Sequence, residues 1–263
     1  MKKTIRRMVN AFGYDIRRLQ SAPGPATNPE DIAVRESMAR IRQNTMVVTE
    51  GLVTLYEQAA YCESFGIPGD FVECGVWKGG SVGLMALANL QYGKSRRTIR
   101  LFDSFEGICE PDATVDGERA LREVKEYAIG GGSGGRLVSL DGFYDSMGGV
   151  GTQADCKNLL EGDLAYPANL IHYHAGWFQD VMPAVASQIA QIAILRIDSD
   201  WYSSTKTCLD RLLGKVVRGG FVIIDDYGTY DGCRKAVNEC LDAYPVRPFL
   251  HRVSDEIRYW IAP

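Results

Sequence analysis

The stretch Pro68-Gly-Asp-Phe-Val-Glu-Cys-Gly-Val-Trp-Lys-Gly-Gly-Ser81 has the order of a buried strand, a glycine turn and a helix. Phe71 and Val72 suit a buried strand. Gly75 interrupts this strand, and the apolar run 82–90 is long enough for the helix. A glycine turn before a helix N-terminus exposes backbone N–H groups and the positive end of the helix dipole, which suit an anionic ligand. The stretch therefore predicts a ligand-binding strand–turn–helix unit.

The carboxylate of Glu73, at the end of the predicted strand, narrows the choice of ligand. A carboxylate repels a pyrophosphate and attracts an amine or a sulfonium, so it favours S-adenosylmethionine (SAM) over a dinucleotide. The alternative is a plain strand–helix turn, because glycines at such spacing also occur by chance. A nicotinamide-dependent oxidoreductase would need Gly-x-Gly-x-x-Gly after the first strand, and the stretch does not supply it.

Composition limits the function classes. The 263 residues carry a formal net charge of −4, so we expect no nucleic-acid partner. Seven cysteines without a Cys-x-x-Cys pair indicate buried thiols in a reducing cytoplasm. No apolar run reaches the roughly 18 residues that a membrane span needs, and the first residues lack the apolar core of a signal peptide. We therefore expect a cytoplasmic protein.

The N-terminus differs in character from the rest of the chain. Residues 1–20 interleave lysines and arginines with apolar residues, a pattern typical of peripheral contact with an anionic membrane surface or with a partner. The alternative, which we favour, is a solvated helix that caps the domain. A Pro/Gly-rich linker follows. We therefore predict a basic segment with its linker over residues 1–29 and one folded domain over residues 30–263.

Strands and helices alternate along the predicted domain. Strands are predicted at 98–102, 171–174, 192–197 and 221–224, and helices at 30–44, 50–65, 153–161, 205–217 and 232–241. Segments 247–253 and 257–262 resemble an antiparallel pair. The pattern predicts an α/β fold: a doubly wound, Rossmann-like parallel sheet with an N-terminal helical extension and a C-terminal antiparallel strand pair. Residues 107–152, with the glycine run 130–135, are interpreted as a lid or substrate loop, or else as an ordinary insertion.

Two residues follow predicted strands at the edge where ligands bind in such sheets. Asp103 ends the second strand, in the position of a ribose-binding acid, with a turn cap as the alternative. Trp177 follows the third strand and suits stacking on an adenine ring, with core packing as the alternative.

Three carboxylates end two further strands. Asp198 follows segment 192–197, and Asp225 and Asp226 follow segment 221–224. Strands joined by one helix are commonly neighbours in a parallel sheet, so these acids can converge on one edge. Negative charges that lie close together repel one another unless a cation or bound protons offset them. A site with only oxygen ligands selects a hard ion such as Mg²⁺. The alternative is that single aspartates cap the following helix or face solvent.

Several motifs, taken in order, resemble the TylF-type macrocin O-methyltransferase family. They are the opening stretch and Asp103-Ser-Phe-Glu-Gly107, Gly176-Trp-Phe178, Leu195-Arg-Ile-Asp-Ser-Asp-Trp-Tyr-Ser-Ser-Thr205 and Gly219-Gly-Phe-Val-Ile-Ile-Asp-Asp-Tyr227. The resemblance implies that residues 30–263 form a class I, SAM-dependent methyltransferase domain. Such a domain would use SAM and Mg²⁺ to methylate a sugar hydroxyl, often of a glycosylated natural product or a polysaccharide precursor. Ser199 departs from the glycine of many members, and the glycine-rich insertion matches no motif, so the acceptor stays open.

The resemblance also implies roles for individual residues. Asp198, Asp225 and Asp226 would hold the metal, and Asp198 is the candidate catalytic base. The cofactor site would use Glu73, Gly75, Gly79, Gly80 and Ser81 at the methionine part, Asp103 at the ribose, and Ser104 and Trp177 near the adenosine. Thr45 matches the family's segment before the core. We also expect a homo-oligomer. Besides the oxidoreductase, a non-catalytic SAM-binding assembly protein stays open, suggested by the basic N-terminus.

Overall fold

Helices and strands alternate along residues 28–129 and 134–263, the part of the chain that this computed structural model describes. In chain order they are α1 (Pro29–Ile41), α2 (Thr49–Phe65), β1 (Asp70–Cys74), α3 (Gly80–Tyr92), β2 (Ile99–Asp103), α4 (Gly117–Tyr127), α5 (Gln153–Lys157), β3 (Ile171–Ala175), α6 (Phe178–Val185), β4 (Ile192–Ile197), α7 (Tyr202–Leu212), β5 (Val216–Ile224), α8 (Asp231–Asp242), β6 (His251–Arg252) and β7 (Arg258–Ile261). None of these helices combines the length and apolar character needed to cross a bilayer.

Some predictions concern parts of the chain outside the described residues. The basic segment 1–20 and residues 130–133 of the glycine run belong to this group. The described chain divides into one compact unit that ends at Arg35 and another over Glu36–Pro263, which holds the whole candidate site. The boundary at residue 29, the membrane contact, the oligomer and the cytoplasmic location stay predictions.

One sheet organises the larger unit. Among the described residues, seven strands pair in the order β3-β2-β1-β4-β5-β7-β6. Strands β1 to β5 are parallel, and β7 runs antiparallel to both β5 and β6. The chain order reverses between β1 and β4, and in such sheets ligands bind outside the carboxyl ends of the strands at that point. The predicted doubly wound sheet with a C-terminal antiparallel pair is confirmed.

The two faces of the central strands carry different side chains, because successive residues of a strand point to opposite faces. Val72, Leu195 and Val222 belong to the buried apolar cluster that also contains residues of α7 and α8. Glu73 and Arg196 lie on the opposite face, and they are direct partners in the register of β1 and β4. The apolar cluster packs the first face against α7 and α8, while the second face, which is also largely buried, brings two charged groups together.

The structure corrects the prediction for the chain after β4. The sequence predicts a helix at 205–217 and a strand that begins at residue 221, whereas α7 spans Tyr202–Leu212 and β5 already begins at Val216. Gly219 and Gly220 remain in the strand because they exchange backbone hydrogen bonds of 2.9 and 2.8 Å with Ala262, beyond β7. A shift in the β4–β5 register absorbs the left-handed Gly219.

The described parts of region 107–152, residues 107–129 and 134–152, contain more regular structure than their sequence indicates. Helix α4 lies within this region, and a single antiparallel bridge joins Cys109 to Ser139. Helix α4 packs Ala120, Val124 and Tyr127, which recur at helical spacing, into or against the apolar cluster, so the sequence carried an amphipathic helix pattern that the prediction missed.

Candidate active site

A cavity of about 470 Å³ opens at the carboxyl ends of the central parallel strands. This volume falls within the range of small-molecule sites. Ten of the predicted site residues line it: Thr45, Glu73, Gly75, Ser81, Asp103, Ser104, Trp177, Asp198, Asp225 and Asp226. The cavity therefore brings the predicted cofactor residues and the predicted metal residues into one space.

Gly75 is required by the close approach of β1 and β4 beneath this cavity. Its φ is +83°, in the left-handed region that side chains disfavour. A Cβ there would lie 1.7 Å from the carbonyl oxygen of Asp198. Only glycine lets the turn after β1 pass so close to the end of β4.

Gly79 and Gly80, in contrast, do not line the cavity. A Cβ at Gly79 would lie 3.1 Å from Sγ of Cys156, and one at Gly80 would lie 2.6 Å from the carbonyl oxygen of Asn44. Both glycines therefore permit close packing around the start of α3, and the cofactor role predicted for them stays a prediction.

Asp103 caps the turn after β1 and also faces the cavity. Its carboxylate accepts hydrogen bonds from the backbone N–H groups of Val76 (2.7 Å), Trp77 (3.2 Å) and Phe105 (2.7 Å). Burial raises the pKa of Asp103, although these three bonds oppose the rise. Ser104 closes the next turn by donating from Oγ to the carbonyl oxygen of Gly107 at 2.8 Å. These bonds hold one side of the cavity in shape.

Two further predicted cofactor residues lie at the cavity wall. Trp177 directly precedes α6 and also packs against the apolar cluster, so its two predicted roles are compatible. Thr45 accepts a hydrogen bond at Oγ1 from the backbone N–H of Val47 at 3.1 Å. The segment around Thr45 thereby keeps a defined turn beside the cavity.

Asp198, Asp225 and Asp226 form a cluster at the ends of the neighbouring strands β4 and β5. Each offers one carboxylate oxygen, and these oxygens lie within 4.8 Å of one another. Burial raises the pKa of Asp225 to about 7 and raises that of Asp226 well above its ordinary value, and the neighbouring carboxylates add to both shifts. An all-oxygen, acid-rich donor set of this kind fits a hard divalent cation such as Mg²⁺.

Arg196 is the main site residue that the sequence prediction missed. Its side chain is 2% exposed, and its Nη1 donates to Oε1 of Glu73 at 2.5 Å and to Oδ2 of Asp198 at 2.8 Å. Its Nη2 donates to Oδ1 of Asp225. Burial works to lower the pKa of Arg196. The three carboxylates of Asp225, Asp198 and Glu73 outweigh this effect and together raise the pKa above its ordinary value. A charged residue within the apolar strand 192–197 was the available signal.

Glu73 has one oxygen that Arg196 does not satisfy. Within the described residues, Oε2 is buried and has no hydrogen-bond partner. Burial raises the pKa of this carboxyl to about 8, and Arg196 opposes the rise. Because an unpaired buried polar atom is costly, Oε2 at a cavity wall fits a cationic or hydrogen-bond-donating group of a ligand, as the ammonium or sulfonium of SAM would be.

A second polar wall comes from α4 and from the start of α8. Tyr230 donates from Oη to Oε2 of Glu123 at 2.5 Å, and Nε of Arg119 lies 2.8 Å from Oε1 of the same carboxylate. All three residues line the cavity. Asp200 also lines it, with a φ of +60° that is unusual for an aspartate. This wall supplies donors and acceptors suited to a hydroxylated acceptor, and its α4 part lay in a region where no helix was predicted.

Residues 30–130 and 163–261 match the family model described as macrocin-O-methyltransferase (TylF). One similar protein is the 8-demethyl-8-(2,3-dimethoxy-alpha-L-rhamnosyl)-tetracenomycin-C 4'-O-methyltransferase of Streptomyces olivaceus, 30% identical over 195 residues. Another is the demethyldecarbamoylnovobiocin O-methyltransferase of Streptomyces niveus, 34% identical over 194 residues. Each match covers 74% of this chain and 66% of the relative, so the chain spans just under two thirds of these proteins.

A solved structure has the same fold. The structure of the O-methyltransferase NovP superposes with a TM-score of 0.69 and covers 89% of this chain and 97% of its own. The two sequences are 23% identical, so this comparison supports the fold alone. The predicted class I, Rossmann-like methyltransferase fold is confirmed.

Proposed function

Because the chain belongs to the TylF macrocin O-methyltransferase family, we propose that it transfers the methyl group of SAM to a sugar hydroxyl of a glycosylated natural product or polysaccharide precursor. We include in this proposal a requirement for a divalent cation such as Mg²⁺. The observation that carries the proposal is the shared cavity, in which Glu73 and Asp103 face the same space as Asp198, Asp225 and Asp226.

In this proposal the residues that line the cavity fall into a cofactor side and a cation side. Glu73, Gly75 and Ser81 surround the place proposed for the methionine part of SAM, and Asp103, Ser104 and Trp177 the place for the adenosine. Asp198, Asp225 and Asp226 would hold the cation. When bound, SAM supplies a methyl group on a positively charged sulfur, and Mg²⁺ lowers the pKa of a hydroxyl that it coordinates.

Asp198 is the proposed base. A sugar hydroxyl is a poor nucleophile at neutral pH, so its proton has to pass to a nearby acceptor as the bond to the methyl group forms. Arg196 occupies Oδ2 of Asp198, so Oδ1, with its two lone pairs, is the atom left both for the cation and for that proton. The side chain is 30% exposed, so a proton taken up there has access to solvent.

The acceptor class rests on the relatives. The name of the Streptomyces olivaceus protein specifies a 2,3-dimethoxy-alpha-L-rhamnosyl group methylated at the 4' position. A cation held by Asp198, Asp225 and Asp226 would bind further oxygens, and two neighbouring hydroxyls of a sugar would bind it together and so orient the attacking oxygen. On this chemical argument alone we propose an acceptor sugar with vicinal hydroxyls, since the sugar named for the relative carries methoxy groups at positions 2 and 3.

The test measures methyl transfer from SAM to a panel of glycosides and to their monodeoxy analogues, first in EDTA and then with Mg²⁺ restored. We expect turnover only with the cation, and weaker turnover on each analogue that lacks the neighbouring hydroxyl. Asp225→Asn should remove turnover. Asp70→Asn, in the ion pair with Arg100 at the other end of β1, should keep it.

Other outcomes would point to other functions. Full turnover in EDTA would refute the cation requirement while leaving the methyltransferase proposal intact. SAM binding without turnover on any glycoside would favour a non-catalytic SAM-binding protein, and binding of NAD in place of SAM would favour an oxidoreductase.

A further inference from the structure

A buried ion network connects the two sides of the cavity through a single side chain. Arg196 lies on the central strand β4, opposite Glu73 in the register with β1 and close to the end of β5. Its guanidinium contacts Glu73 on the proposed cofactor side, and Asp198 and Asp225 on the proposed cation side. Glu73 and Arg196 are only 1% and 2% exposed, so water does not compete for these contacts.

The shape of the guanidinium explains how one residue serves three carboxylates. Its donors lie in a rigid plane and point in fixed directions, whereas a lysine ammonium is a single point charge on a flexible stem. The Nη1 group joins Glu73 to Asp198, and the Nη2 group holds Asp225. Each carboxylate keeps its second oxygen out of this network, so each can still bind something else.

An ordinary structural ion pair would be expected to satisfy both oxygens of a buried carboxylate. Glu73 differs from such a pair. Within the described residues its Oε2 is buried and has no hydrogen-bond partner, and Glu73 lines the cavity. The network also holds more carboxylates than cations, which cationic ligands on either side would offset. Both features point to a ligand as the missing part.

We propose that Arg196 is a positioning residue that fixes Glu73 relative to Asp198 and Asp225, so that the cofactor and the acceptor are held in one alignment. This inference rests on the proposed function, because it assumes that SAM binds beside Glu73. Arg196 touches neither the cofactor nor the acceptor in this scheme, and it acts on cofactor binding through Glu73. In-line methyl transfer depends on such alignment, since small displacements of reacting groups reduce rates strongly.

The test is a double-mutant cycle on SAM affinity in metal-free protein, measured by titration calorimetry. Arg196→Lys should weaken SAM binding by about tenfold, within the range of coupling between contacting residues. In a Glu73→Gln background the same change should have less than about a twofold effect, because the residue it acts through has lost its charge. The matched control Arg100→Lys alters the Arg100–Asp70 ion pair outside the cavity and should leave SAM affinity unchanged.

The outcomes separate the inference from the function on which it rests. Equal loss of affinity from Arg196→Lys in both backgrounds, or no loss in either, would overturn the positioning role while wild-type SAM binding supports the proposed function. Absence of SAM binding to the wild-type protein would overturn both.

A second variant decides the matter if circular dichroism shows that Arg196→Lys does not fold. Asp225→Asn removes a charged partner of Arg196 at the rim of the cavity, where the side chain is 17% exposed. It should weaken SAM binding in metal-free protein by about threefold or more, although Asp225 lies on the cation side. Asp70→Asn is the matched control. An unchanged SAM affinity for Asp225→Asn would overturn the inference.

Discussion

Gly75→Ala should destabilise the protein at the site itself. The turn after β1 passes so close to β4 that a Cβ on Gly75 would lie 1.7 Å from the carbonyl oxygen of Asp198 and 2.8 Å from its carbonyl carbon. Both atoms belong to backbone at the end of a central strand, so neither can rotate away. The methyl group can be accommodated only if the ends of β1 and β4 move apart.

The cost has two parts that a matched variant can separate. A side chain in the left-handed conformation costs about 1–2 kcal/mol, and forcing an extra carbon into a packed site costs about 1–3 kcal/mol. Gly75→Ala should therefore lower the free energy of unfolding by about 2–5 kcal/mol. Gly66, at the end of α2, has a similar φ of +68°, but among the described residues nothing lies within 4 Å of its Cβ position. Gly66→Ala should cost only the first part, about 1–2 kcal/mol.

Thermal and urea unfolding of the two variants and the wild type measure these costs. For a domain of this size each kcal/mol lowers Tm by about 2–4 °C, so the two variants should be clearly separated. Gly75→Ala should also weaken SAM binding, because the displaced strand ends carry Glu73 and Asp198, whereas Gly66→Ala should bind SAM normally. Equal destabilisation by both variants would refute the argument from the close approach of the strands.

Three further predictions follow from individual contacts. Asp103→Asn should weaken SAM binding by about tenfold, since it removes a charged acceptor; calorimetry checks this against Asp112→Asn, an exposed aspartate outside the cavity wall, which should have no effect. The pKa of His174 is lowered from 6.5 to about 4, first by burial and then by Arg100 and His172. Between pH 6.5 and pH 4 the unfolded chain therefore binds a proton at this histidine that the folded chain does not bind, so the free energy of unfolding should fall as the pH drops through that window. His174→Phe should flatten this part of the curve of unfolding free energy against pH, and an unchanged slope would contradict the assignment. Trp201 is 1% exposed and donates from Nε1 to the carbonyl oxygen of Cys109 at 2.8 Å; Trp201→Phe should cost about 1–3 kcal/mol, and an unaltered Tm would show that this bond adds nothing to stability.

Local pattern was enough to predict most of the sheet and the place of the site. The apolar run 192–197 was predicted as a strand and is β4 over the same residues, because a short run bounded by polar residues has few alternatives. Chain order then indicated that Asp198 and Asp225 would converge, since neighbouring parallel strands end at one edge. The structure places their oxygens within 4.8 Å of each other.

Prediction from local pattern failed where long-range pairing decides the structure. Residues 218–220 resemble a turn in isolation, yet hydrogen bonds between Gly219, Gly220 and Ala262 keep them in β5. The omission of helix α4 has a different cause, because Ala120, Val124 and Tyr127 recur at helical spacing and face the apolar cluster, but the nearby glycine run led to the whole region being interpreted as a loop. The close neighbours of Gly79 and Gly80, Cys156 and Asn44, are likewise distant in the chain, so the sequence did not show that these glycines are also needed for packing.

The sequence by itself determined that strands alternate with helices and that carboxylates follow the strands, because both depend on residues close together in the chain. It also showed a charged residue, Arg196, within an apolar strand. Only the tertiary structure decided what that charge binds. Glu73 lies 123 residues away and Asp225 lies 29 residues away, and they meet Arg196 because β1, β4 and β5 are adjacent and in register. Strand order and register arise from the packing of the whole domain, so no local pattern specifies them.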